Sequence, residues 1–107
     1  MFHFDKYLEL HLAPAGSHTC DYGKTVLKHE CQAASAQFYP NPGRSLQVGS
    51  GGSCLDNSWG RVPLGCSVQS LGDGTAHFKT SGDTGPGCIH QMYQLVCITE
   101  GKAYYRN

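Results

Sequence analysis

Nowhere in its 107 residues does the chain carry two cysteines within four positions of each other, so it encodes no zinc finger or ribbon. It has no apolar stretch of about 18 residues, which leaves no candidate membrane-spanning helix. Eight basic and eight acidic residues cancel without forming a run of either sign, so the electrostatic footprint of a nucleic-acid binder is missing. There is no Asn-x-Ser/Thr sequon, because Asn41 precedes Pro42 and Asn57 is followed by Ser58 and Trp59. No G-x-S-x-G elbow supplies a serine nucleophile, and no H-E-x-x-H supplies a pair of metal ligands. Tryptophan occurs once.

What the chain does have is cysteine: Cys20, Cys31, Cys54, Cys66, Cys88 and Cys97. An even number at wide spacing reads as a disulfide framework and places the chain outside a reducing cytosol. A single domain of this length buries about two-thirds of its unfolded surface, a thin margin over conformational entropy. Three bridges at roughly 2–4 kcal/mol each would supply much of the net stability. Fourteen glycines and five prolines point to short strands joined by turns. The expected fold is α+β, a small disulfide-rich domain with one helix packed on a short antiparallel sheet. The start of the chain does not match a signal peptide, since Asp5, Lys6, Glu9 and two histidines stand where an apolar core belongs. A mature form or an incomplete gene model is expected.

Phe2, Phe4, Leu8, Leu10 and Leu12 share one parity, while His3, Asp5, Glu9 and His11 share the other. This is the pattern of a strand with one apolar face, broken by Lys6. Two readings stand for it. It is the first strand of the domain's own sheet, or it is an arm over residues 1–17 that docks on another protein by strand addition through those five apolar side chains. Pro14-Ala15-Gly16 marks a break before a disulfide-stapled module over 18–100, with a tail over 101–107 set off by Gly101.

Within the module, Thr25 can cap a helix running to about Phe38, with Leu27, Cys31, Ala34 and Phe38 on one stripe and Tyr39 to Gly43 as the stop. Ser45 to Gly49 reads as a short strand, and the glycine-rich stretch from Gly49 to Ser53 as a turn. Residues 66–70 and 75–79 flank Leu71-Gly72-Asp73-Gly74 as a hairpin. Gln91 to Ile98 reads as a strand buried on both faces. Six cysteines allow many connectivities. A helix-facing Cys31 joined to a strand-facing Cys66 would tie the two layers together, and Cys20 with Cys97 would secure the ends, which leaves Cys54 with Cys88.

Catalysis finds little support. Cys88 beside His90, and His29 beside Cys31, offer thiol–histidine pairs only if a cysteine stays unbridged. Asp56, Asp73 and Asp83 sit in turn contexts, where an aspartate bonds nearby backbone. Six histidines include pairs such as His77 with His90 and His3 with His11, but none has metal-ligand spacing, so no metal and no cofactor is expected. Trp59 lies in Cys54-Leu55-Asp56-Asn57-Ser58-Trp59-Gly60-Arg61, where ring, amides and hydroxyls suit a sugar or a protein anchor pocket. The competing reading is a core plug beneath the loop.

The runs Cys20-Asp21-Tyr22-Gly23, Glu30-Cys31-Gln32-Ala33-Ala34, Pro63-Leu64-Gly65-Cys66-Ser67-Val68-Gln69-Ser70 and Ala76-His77-Phe78-Lys79 together resemble a cysteine-rich module of predicted dinoflagellate and other algal proteins. In that module a helix with an E-C-x-A-A-like segment precedes a P-x-G-C strand. The likeness covers about residues 18–97 and implies a disulfide-stapled fold with no catalytic residues to carry over. With the apolar arm, it implies a non-catalytic accessory subunit on the lumenal side of an algal photosystem, held by protein subunits and peripheral to the membrane. An extracellular carbohydrate- or surface-binding module is the alternative.

Overall fold

The structure is a computed structural model. It describes residues 6–40, 44–56, 58–82 and 85–102, with side chains considered from Glu9 to Thr99. In chain order the elements are β1 (Lys6–Leu12), β2 (Lys24–Thr25), α1 (Lys28–Ala36), β3 (Gln47–Gly49), a 3-10 turn at Trp59–Arg61, β4 (Gly65–Val68), β5 (Ala76–Lys79) and β6 (Gln94–Lys102). The strands run in the order β1-β6-β4-β5-β3, and β2 also pairs with β6.

The domain is α+β as expected, but the sheet is mixed rather than wholly antiparallel. Gln47, Val48 and Gly49 of β3 run parallel to His77, Phe78 and Lys79 of β5. A parallel pair needs a crossover of a dozen or more residues. Residues 50–75, which carry the Trp59 turn and β4, supply it. The expected hairpin is present, with Cys66 opposite Phe78 and Val68 opposite Ala76.

Residues 6–12 belong to the domain's own sheet. β1 lies antiparallel to β6, from Lys6 opposite Lys102 to Leu12 opposite Val96. Leu10 and Leu12 pack against the buried core, so this strand is joined to the module rather than set apart from it. Gly101, expected as a separator, is part of β6 opposite Tyr7. Phe2, Phe4 and the tail from Ala103 onward lie outside the described residues, as does the side chain of Leu8.

Thr25 is not a helix cap. It pairs with Cys97 in β2, and Val26 N donates to Val96 O at 3.2 Å. The ladder with β6 satisfies this backbone, so α1 begins three residues later with Leu27 at its N-cap and no capping side chain. Cys31, Ala34 and Ser35 are the buried residues of α1, while Leu27, expected on the same stripe, is 61% exposed. The expected stop at Asn41 to Gly43 lies outside the described residues.

The period-two alternation of the strands divides the molecule into layers. On one face Cys66, Val68, Ala76 and Val96 form a core with Val26, Cys31 and Ala34 beneath α1. The alternate residues of the same strands occupy the other face, where Leu95 and Cys97 pack with Ala13 and Cys20. β4 is buried throughout, as a strand covered on both sides must be. Three disulfides stitch these layers: Cys31–Cys66 with Cα atoms 5.6 Å apart, Cys20–Cys97 at 6.0 Å and Cys54–Cys88 at 5.4 Å. The first pins α1 to β4, and the second pins the loop after β1 to β6. The third joins two loops, the one after β3 and the one before β6. These are the pairings preferred from the sequence, and no cysteine is left free. Such a framework belongs in an oxidising compartment. Among the described residues no helix is long and apolar enough to cross a membrane.

Candidate functional site

The face of the sheet away from α1 carries a group of chemically versatile side chains around His77. His77 stands in the middle of β5, opposite Ser67 of β4 and beside Gln47 of β3. Trp59 approaches it from the 3-10 turn with ring centroids 5.6 Å apart at 63°. Tyr93, just before β6, meets it from another direction at 5.2 Å and 86°. Both are edge-to-face contacts, the arrangement that ring quadrupoles favour. Trp59 and Tyr93 are both only partly buried.

His77 is held in one tautomer when neutral. Its Nδ1 lies 3.1 Å from Thr75 O, and because a carbonyl only accepts, Nδ1 carries the proton and Nε2 keeps its lone pair. Burial lowers its pKa below the ordinary histidine value; the Thr75 hydrogen bond opposes that shift without reversing it. Burial raises the Tyr93 phenol, and the charge of Asp73 adds to the effect. Both groups are therefore neutral at pH 7.

The strip that presents Trp59 is braced from several sides. The Cys54–Cys88 bridge ties its base to the loop before β6. Asp56 Oδ1 accepts the Ser58 amide at 2.7 Å, the turn role expected for that aspartate. Arg61 O accepts from His90 N at 3.0 Å, and Arg61 Nε donates to Cys88 O at 3.1 Å. Beneath it the ammonium of Lys79, itself 1% exposed, donates to Val62 O at 3.2 Å. Glycine lets the strip come close. A side chain at Gly49 would enter the Trp59 indole, and one at Gly60 would enter the backbone of Ser53. The glycine-rich stretch, expected as a turn, is the end of β3 followed by irregular backbone, and the missing side chains of Gly49 and Gly52 make room for Trp59 and Gly60.

Two cavities open here. One of about 180 Å³ is lined by Arg44, Gln47, Ser58, Trp59, Val62, His77 and Tyr93. The other, of about 340 Å³, is lined by Ser58, Arg61, His90, Met92 and Tyr93. Ser58 and Tyr93 form their common wall. Arg44 Nη1 donates to Asp73 Oδ2 at 3.3 Å. The carboxyl of Asp73 is lowered first by its hydrogen bonds from Thr75 and further by Arg44.

Other candidates from the sequence fall elsewhere. His11 Nε2 lies 2.8 Å from Asp21 Oδ1, and the His11 ring stacks on Tyr22 at 3.8 Å and 8°. The hydrogen bond from His11 holds the Asp21 carboxyl below its usual value. Cys97 Sγ is near both, but it is bridged to Cys20 and offers no thiolate to a metal. The thiol–histidine pairs have no thiol, since every cysteine is bridged. Leu10 and Leu12 lie on the opposite side of the sheet from Trp59, so the apolar strand and the tryptophan do not form one surface.

Sequence reasoning singled out Trp59 and treated it as either a plug or a binding residue. In the fold it packs on Gly49 and also lines a cavity. Nothing in the sequence marks Arg44, Gln47 or Tyr93 as site residues, and His77 reads there as a surface or hydrogen-bonding histidine more readily than as a metal ligand. The period-two pattern of β5, with Ala76 and Phe78 alternating with His77 and Lys79, was the available signal that His77 faces away from the helix. No protein family, curated protein or solved structure matches this chain, and so none ties it to the algal module or to a photosystem.

Proposed function

We propose that the chain is a non-catalytic binding module of an oxidising compartment, and that the Trp59–His77–Tyr93 cleft holds a sugar ring. The observation that carries this reading is the partly exposed indole of Trp59 beside Tyr93, with the amide of Gln47 and the hydroxyl of Ser58 in the same small cavity. Sugar rings have an apolar face that packs on aromatic rings and a rim of hydroxyls that need donors and acceptors, and the cleft supplies both. Among the described residues the bridged cysteines offer no thiol nucleophile and the Asp56 carboxylate is engaged by the Ser58 amide, which favours binding over turnover. Trp59 is the sole tryptophan, so its fluorescence reports this cleft alone. Titration with a panel of oligosaccharides should shift that emission. Trp59→Phe, which keeps a ring against Gly49, should weaken binding with little effect on the fold. A panel that leaves the emission unchanged, with no heat of binding by calorimetry, overturns the reading.

One observation favours a second reading. β1 is an edge strand of the sheet, at the opposite end from β3, and its outer edge has no partner among the described residues. An edge of this kind can accept a strand from another protein, as an accessory subunit would require. A lumenal photosystem complex is the setting that the algal resemblance implies. This reading requires native protein to purify inside a large assembly and to leave it when proline replaces an outward-facing residue of β1.

A further inference from the structure

The charges around the cleft depart from those of the rest of the chain. Overall, eight acidic residues balance eight basic ones. The two adjoining cavities, however, are lined by two arginines and two histidines and, among the described residues, by no aspartate or glutamate. The two arginines are not equivalent. Arg44 is paired with the Asp73 carboxylate. Arg61 donates its Nε to the Cys88 carbonyl, a neutral acceptor, and no ion pair to an acid is formed by it among the described residues. Its backbone is also fixed by the bond from His90 N to Arg61 O. The larger cavity therefore presents a pre-positioned guanidinium that no described carboxylate compensates, with His90 beside it, separated by Tyr93 from the aromatic cavity. A guanidinium in that state suits a carboxylate or sulfate better than a neutral hydroxyl.

We infer that the cleft selects an anionic sugar: the ring packs against Trp59 and Tyr93 in the smaller cavity, and its carboxylate or sulfate reaches Arg61 and His90 in the larger one. The inference rests on the sugar-binding reading above and adds the charge of the ligand. A uronate and a sulfated sugar share this chemistry, and the test separates them.

The experiment compares, by calorimetry on the oxidised full chain, trigalacturonate, its methyl ester and a sulfated galactose trisaccharide. The ester keeps the ring and removes the charge. At least one acid form should bind about tenfold or more tighter than the ester, which is what a charge-assisted hydrogen bond is worth. The stronger of the two acids identifies the anion. Arg61→Gln should bring the acid down to the affinity that the same variant has for the ester. Equal binding of acid and ester overturns the inference while the sugar-binding reading stands. Binding of none of the three overturns both. A preference for acid that survives in R61Q overturns the role of Arg61. Should R61Q fail to fold, as judged by circular dichroism, the wild-type chain decides: the preference must shrink between about 50 and about 500 mM salt, and one that does not shrink overturns the inference.

Discussion

A few positions decide how the cleft behaves, and His77 is the most consequential. Its pKa in the folded state lies below the unfolded value because burial disfavours the imidazolium. Below about pH 6.5 the unfolded chain therefore binds more protons at this position than the folded one, so stability falls as pH drops through that value and is complete above it. Urea midpoints measured from pH 7.5 down to pH 5 should decline in wild type and decline less in His77→Gln; equal slopes would remove His77 as the cause. Ser67, directly opposite His77, has a fully buried hydroxyl without a hydrogen-bond partner among the described residues. Removing such a group relieves its desolvation cost, so Ser67→Ala should raise stability by about 1 kcal/mol, read from the same midpoints. Gly49→Ala should do the reverse. Its methyl group meets the indole of Trp59, which must move, so both the tryptophan emission and oligosaccharide binding should change. Unchanged emission would show that Trp59 is not seated on Gly49.

At the scale of elements, the bridges differ in what they hold. α1 has nine residues, too few to persist without tertiary support, and the Cys31–Cys66 bridge fastens it to β4 at a fully buried point. Replacing both with alanine should cost about 2–5 kcal/mol by chemical denaturation. Cys54→Ala with Cys88→Ala should spare the helix signal in circular dichroism yet release the strip that presents Trp59, and so lower ligand affinity more than helix content. The sequence made the first of these elements legible. A helical stripe containing Cys31 and a strand containing Cys66 imply a helix-to-sheet staple, and the alternation around Gly72 implies the β4–β5 pair. What it concealed was governed by distant partners. Thr25 has the chemistry of a cap, but the open edge of β6 claimed its backbone. Val48 carries no mark of parallel pairing, because direction depends on the path of residues 50–75 rather than on local composition. Tyr93 and Gln47 meet His77 only once three separate segments are in place, and no spacing in the chain records that.

Across the whole molecule, β6 is the strand on which the sheet depends. It pairs with β1 over residues 96–102, with β2 at Cys97 and Ile98, and with β4 at Gln94 and Leu95. Its Cys97 is bridged to Cys20 over a sequence separation of 77 residues. The two ends of the described chain are therefore brought together by pairing of the most distant segments, the kind of contact whose closure entropy must be met before packing compensates for it. Removal of residues 1–12 distinguishes the two sequence-based readings of that segment. An arm that serves only a partner contributes nothing to the stability of the isolated chain, and its removal leaves the denaturation midpoint where it was. A strand of the sheet takes with it the ladder along β6 and the packing of Leu10 and Leu12 on the core. Two partly buried leucines alone are worth about 2 kcal/mol of apolar burial, and the newly bared edge of β6 adds a tendency to pair with other chains. Deleting residues 1–12 should thus lower stability by at least about 2 kcal/mol in urea and promote self-association in size-exclusion chromatography. A truncated chain that is monomeric and as stable as the full one would return β1 to the role of a docking arm.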